Sequence, residues 1–246
     1  MKAKQVSYHV EKDVLYAVID NPETKNGLTW EGILQLADCY AYTAEHPEIR
    51  AIVITGNDRY FYTGGRVDAS VPGESQRYAD AIERLTQLQD ANKTPMIAAI
   101  SGDCMKAGMG LAAKCDFAIA REGALFSFPE VRMGGAPMMV MAETIDALPR
   151  KKALEAYYSS WNYSAQEMLQ AGFLNAVVPA DQFDATVEKY LRILLDTPRA
   201  LIELTRTAYD EMDRAPSLKE RRAIALRMLR EDVLSTMEHT ATSYNV

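Results

Sequence analysis

Two compact apolar runs, Ala51–Thr55 and Met96–Ile100, constrain this chain most, because each follows a segment of helical period and each precedes a glycine-rich turn. Runs without polar alternation suit parallel strands covered on both faces. Through the first 130 residues such β-branched runs alternate with amphipathic segments, the signature of βαβ units and of an α/β fold. Helices are predicted over Trp30–Glu45, with Thr29 as N-cap, and over 75–92, where Tyr78, Ile82, Leu85 and Leu88 keep the period. Residues 6–10 and 14–20 flank Glu11-Lys12-Asp13 and read as a hairpin; further strands are predicted at 117–120 and 125–128.

After Pro137 the pattern turns helical, and strand character survives only around Ala176-Val177-Val178. The shift in composition divides the chain into a core, 1–190, and a helical region, 191–246. In the latter, 199–212 and 218–239 read as helices with Pro198 and Pro216 in their first turns. Leu226, Leu229, Val233 and Met237 give the last helix an apolar stripe, which packs either on its own domain or on a neighbouring subunit.

The chain's 246 residues, 48% hydrophobic and 25% charged, suffice for a sizeable core without metals or disulfides. A net charge of -7, with no block of Lys or Arg, argues against nucleic acid or an anionic membrane as partner. Cys39, Cys104 and Cys115 include no CxxC pair, so no zinc site or disulfide framework is read, and a reducing, cytoplasmic setting is expected. No apolar run follows the basic start as an export signal requires, and none approaches the roughly 20 residues of a membrane span.

The glycine-rich turns are Tyr62-Thr63-Gly64-Gly65-Arg66, after Ala51–Thr55, and Lys106-Ala107-Gly108-Met109-Gly110, after Met96–Ile100. The second opens a helix. Glycine lets backbone approach a ligand, and amides at a helix N-terminus point outward with partial positive charge. Two such turns on neighbouring strands can aim two N–H groups at one oxygen, as an oxyanion hole requires. By glycine spacing alone each turn reads more often as ordinary loop chemistry. The first strand–helix junction, Asn21 through Gly27, lacks the GxGxxG of dinucleotide-binding folds, and no P-loop occurs. His9, His46 and His239 form no His–carboxylate–nucleophile order, Tyr62 reads as packing, and Asp116 is assigned no chemistry.

Along nearly its whole length the chain resembles the crotonase, or enoyl-CoA hydratase/isomerase, superfamily. The resemblance is carried in order by Asp20-Asn21-Pro22-Glu23, Asn26-Gly27-Leu28-Thr29, Arg50 through Gly56, Tyr60 through Gly65, Lys93 through Gly102, and Gly108 through Ala120. Phe126-Ser127-Phe128-Pro129-Glu130, Leu148-Pro149-Arg150 and Ala171 through Pro179 complete it. It implies a repeated ββα spiral with a C-terminal helical trimerisation region, assembled as a homotrimer or a dimer of trimers. It also implies an acyl-CoA or acyl-carrier-protein thioester as substrate, with coenzyme A entering only as part of it and no other cofactor. The thioester enolate would be held by the amides of Gly65 and Ala107, beside Gly64 and Gly108, with Lys25 near the CoA nucleotide.

Departures from the pattern choose the reaction. Hydratases of the family carry glutamates at the positions of Gly110 and Glu130, and here only Glu130 remains. A single carboxylate beside an enolate suits moving a proton from one carbon to another, best if burial raises its pKa; Phe126, Phe128, Val131 and Met133 are expected to supply that setting. Hydration stays close behind, given another polar group to hold water. Met138 stands where the dehalogenase and dienoyl-isomerase branches place aspartate, and Met138-Met139-Val140-Met141 either line an acyl pocket or fill core. Arg66 replaces a common aspartate and either faces solvent or meets a substrate carboxylate, which keeps decarboxylase or C–C lyase chemistry open. The missing glutamate also admits a non-catalytic acyl-CoA-binding subunit.

Overall fold

A computed structural model describes residues 4–234. They divide into two compact units between Ile193 and Leu194. The first opens with the antiparallel hairpin β1 (Val6–Glu11) and β2 (Val14–Ile19), followed by α1 (Trp30–Glu45). Three strand pairs come next, each followed by a helix or helical turn. They are β3 (Ala51–Thr55) and β4 (Tyr60–Tyr62) before α2 (Glu74–Ala91), β5 (Met96–Ile100) and β6 (Asp103–Met105) before α3 (Ala107–Lys114), and β7 (Phe117–Arg121) and β8 (Leu125–Ser127) before a 3-10 turn, Pro129–Met133. This is the repeated ββα unit. The unit continues through α4 (Met138–Thr144), α5 (Arg150–Ser159), β9 (Tyr163–Ser164), α6 (Ala165–Gln170), β10 (Ala176–Val178) and α7 (Phe183–Asp196), whose last turn crosses the division.

The long strands form a six-stranded sheet in the order β1-β2-β3-β5-β7-β10, parallel from β2 onward. In β5 all five residues are buried, as the unbroken apolar run requires. The short strands form a second sheet, β4-β6-β8-β9, parallel across its first three members. At two or three residues each, these strands lie below the length at which alternation signals a strand, and the sequence shows only one of them. The glycine turns therefore leave β4 and β6, not the long strands that precede these in sequence.

Asn26 joins the two sheets. Fully buried at left-handed φ 57°, it donates Nδ2 to the carbonyls of Ile19 (2.8 Å), Tyr60 (2.7 Å) and Phe61 (3.2 Å). Its Oδ1 accepts from the Asn21 amide at 2.8 Å and from Asn57 Nδ2 at 2.9 Å. Asp116 has a similar structural use, its Oδ2 accepting the Met96 amide at 2.7 Å.

The second unit contains α8 (Arg199–Asp213) and α9 (Leu218–Met228), the latter running into a π-helical turn, Leu229–Val233. Pro198 and Pro216 precede these helices instead of entering them; Ser217 caps α9, its hydroxyl accepting the Glu220 amide. Leu226 and Leu229 are exposed, whereas Met237 and His239 lie outside the described residues.

Candidate active site

The register of the second sheet assembles the site. Tyr62 pairs with Cys104, and Cys104 with Phe126, so these three buried residues share one rung. Three positions beyond that rung the chains reach Gly65 and Ala107, and four beyond it Glu130. Adjacent strands lie about 4.8 Å apart, so the two turns leave the sheet side by side. Ligands of parallel sheets gather at the carboxyl ends of the strands, where these residues stand.

Gly65 forms a parallel bridge with Leu28. In such a bridge the flanking residues supply the bonds: the Leu28 amide donates to Gly64 O at 3.0 Å, and the Arg66 amide to Leu28 O at 2.7 Å. The Gly65 amide consequently points to the opposite side, away from Leu28. On the other turn the Lys106 amide donates to Ser127 O at 3.1 Å, tying the tips of β6 and β8, and the Met109 amide to Lys106 O at 2.9 Å. Ala107 is the first residue of α3, so its amide lies outside the helical ladder.

Two glycines permit this approach. A Cβ at Gly108 would overlap the Tyr62 carbonyl oxygen and lie 2.9 Å from the carbonyl carbon, so only glycine lets the start of α3 rest on the end of β4. Gly64 has φ +95°, and the stem of Lys106 lies against it. A Cβ at Gly65 would overlap the hydroxyl of Tyr78, a residue of α2 missed as a site neighbour because its helical period marks it only as core. Burial pushes the Tyr78 phenol up.

Glu130 is the second residue of a 3-10 turn that Pro129 opens. Its Oε2 is buried and has no hydrogen-bond partner among the described residues. Burial raises its pKa, opposed by a backbone hydrogen bond and by the charge of Lys106. Phe126 and Phe128 are fully buried beneath it, but Val131 and Met133 are exposed, because the tight turn swings them away from the core. Of the four residues expected to supply an apolar setting, the two phenylalanines are buried and Val131 and Met133 are not.

A cavity of about 490 Å3, open mouth included, runs along α3 from Ala107 past Gly110 to Lys114, bounded across from it by Tyr62, Leu85 and Val140. Met139 lines it, whereas Met138 is exposed at the start of α4 and takes no part in the wall. Over Gly110 lies Glu143 of α4: a Cβ at 110 would meet Glu143 Cγ at 3.3 Å. Glu143 pairs with Lys114 at 3.2 Å, and Lys114 also with Asp90 at 3.0 Å. Lys25 and Arg66 are exposed. The Lys25 carbonyl accepts the Thr63 hydroxyl at 2.7 Å, and the Arg66 stem lies on Gly27. Among the described residues no cluster of His, Cys, Asp and Glu could hold a metal, and no helix is long and apolar enough to cross a membrane.

The family profile described as enoyl-CoA hydratase/isomerase matches residues 9–244. The chain belongs to the enoyl-CoA hydratase/isomerase family. Among its relatives, the mouse mitochondrial enoyl-CoA hydratase domain-containing protein 3 is 25% identical over 199 residues, which cover 78% of this chain and 65% of the mouse protein. The chain thus spans about two thirds of that relative's length. A crotonyl-CoA hydratase of Syntrophomonas wolfei is 26% identical over 222 residues, covering 85% of each. The human enoyl-CoA hydratase domain-containing protein 3 shares the fold of this family member with a TM-score of 0.86 at 21% identity, over 94% of this chain and 92% of the human one. An enoyl-CoA hydratase of Mycobacterium smegmatis does so with a TM-score of 0.83 at 21% identity, over 98% and 97%.

Proposed function

We propose that the chain acts on acyl-CoA thioesters, moving a carbon–carbon double bond through a thioester enolate with Glu130 as its single acid/base. The observation that carries this reading is the shared rung of Tyr62, Cys104 and Phe126, which brings Gly65, Ala107 and Glu130 to one end of the short sheet. The Glu130 carboxylate removes a proton from C2 of a 3-enoyl thioester. The electron pair passes to the thioester oxygen, where the Gly65 and Ala107 amides stabilise it. Glu130 returns the proton to C4, leaving a 2-enoyl thioester and the enzyme unchanged.

Isomerisation is favoured over hydration because the position of the missing glutamate is covered. Glu143 brings a carboxylate to Gly110, but Lys114 holds it in an ion pair at 3.2 Å, so it is engaged with that cation and not with a water. The test is incubation of 2-enoyl, 3-enoyl and carboxylated acyl-CoAs in deuterated water, read by mass spectrometry with the Glu130→Gln variant alongside. Bond migration with deuterium uptake, reduced about 10²–10⁴-fold in the variant, is the expected result. Hydrated product as the main species would refute the isomerase reading, and equal rates in the variant would remove Glu130 from the mechanism.

A further inference from the structure

The residue between Met105 and the Ala107 amide has φ 52° and ψ −123°. This is the backbone geometry that a II′ turn asks of its first central residue, and glycine is its ordinary occupant because a Cβ there is strained. The chain places a lysine at this point. Lys106 is held in that geometry from both sides, its amide donating to Ser127 O and its carbonyl accepting from Met109. Glycine would relieve the strain, giving up the stem's contact with Gly64, so a side chain kept here needs another reason.

Its surroundings supply one. Lys106 is partly buried, with its stem across Gly64, and makes no ion pair among the described residues. Its charge nonetheless acts on Glu130. The α5 helix, which packs on the Glu130 turn, pairs its Lys152 with its own Glu155 at 2.7 Å, and Arg132 of the turn itself donates to Ser159 O. Lys114, at the far end of the cavity, is held by Glu143 and Asp90, which leaves Lys106 as the cation next to the Ala107 turn.

We propose that Lys106 is a positioning residue of this site, supplying from a strained glycine-type position a positive charge that favours the passage of negative charge from Glu130 to the thioester oxygen as Glu130 takes the C2 proton. The negative charge begins on the Glu130 carboxylate and ends on the oxygen held at Ala107, the residue next to Lys106. A cation adjacent in the chain to Ala107, whose charge also acts on Glu130, offsets the burial of that charge, which apolar walls alone would oppose. The inference rests on the enolate reading above.

Three variants test it, assayed by α-proton exchange of acyl-CoA in deuterated water and by thermal melting. Lys106→Met keeps the strain and removes the charge: kcat should fall about 10²-fold with KM little changed. Lys106→Arg should recover most of that loss. Lys106→Gly should lose the same rate yet melt higher, by about 2–4 °C or more. Wild-type rates in Lys106→Met or Lys106→Gly while Glu130→Gln is inactive would overturn the proposal and leave the enolate reading standing. Wild-type rates in Lys106→Met and Glu130→Gln together would instead remove the enolate reading. A higher KM with kcat intact, seen with CoA thioesters but not with phosphate-free pantetheine thioesters, would assign Lys106 to the CoA phosphates and also overturn it. No gain in melting temperature for Lys106→Gly would refute the strain on which the argument depends.

Discussion

Gly108 and Gly110 stand two residues apart on α3, and the same substitution should have opposite consequences at each. At Gly108 an added methyl meets backbone: it overlaps Tyr62 O and sits 2.9 Å from Tyr62 C, while real Cβ contacts essentially never fall below 3.0 Å. Neither atom can rotate away. The start of α3 must lift from β4 by about an ångström, carrying the Ala107 amide with it. Overpacking of this kind costs about 1–3 kcal/mol, a fall of roughly 2–12 °C in melting temperature for a chain of this size. A displacement of about 1 Å in a positioning group costs about 10²-fold in rate. At Gly110 the methyl meets Glu143 Cγ at 3.3 Å and Cβ at 3.4 Å, atoms of a side chain that can shift. Replacing glycine by alanine inside a helix contributes about 1 kcal/mol, so Gly110→Ala should be within about 1 kcal/mol of wild type and equally active. Urea denaturation and α-proton exchange of acyl-CoA in deuterated water measure both quantities. If Gly108→Ala is folded and exchanges at the wild-type rate, or if Gly110→Ala loses as much activity as Gly108→Ala, the placement of the Ala107 donor is wrong.

Two further outcomes follow from the carboxylates. The pKa of Glu130 is raised by burial, so its folded-state contribution is complete below the ordinary glutamate range, about 4.3, and is lost as pH rises through the higher folded value. Glu130→Gln should consequently gain stability over wild type as pH rises from 4 to 7, by denaturation at each pH; a constant difference would contradict a desolvated carboxylate. Gly110→Glu should not create a hydratase, because its carboxylate would share Lys114 with Glu143 and Asp90. Hydration of a 2-enoyl-CoA should appear only when Glu143→Ala accompanies it, and hydration by the single variant would show that Glu143 does not cover the position.

How much of this was legible in sequence depended on the length of the signal. Ala51–Thr55 and Met96–Ile100 are long enough, and apolar enough, to declare buried parallel strands, and α1 has the bounds its period predicts. Tyr60–Tyr62 and Asp103–Met105 carry too few residues to show alternation, so the sheet that sets the site's spacing was invisible although its glycine turns were not. Glu130 was identifiable by resemblance, but its neighbours were not: Val131 and Met133 follow it in sequence and leave it in space. The absence of a glutamate at Gly110 was plain, whereas its cover, Glu143, comes from another helix 33 positions on. The side chain of Lys106 was in view throughout. Its backbone conformation, which makes it unusual, is a property of the fold and has no mark in residue type.

The short parallel sheet also bears on how such a chain can change its chemistry. Each of three successive repeats ends in one strand of that sheet, and each strand tip carries one group: Gly65, Ala107 and Glu130. The tips are separate addresses, filled by separate stretches of sequence and aligned only by backbone pairing. Replacement of the residue at one address leaves the pairing that positions the other two intact. A new reaction can then be reached one repeat at a time, with two of the groups still in place while the third is tried.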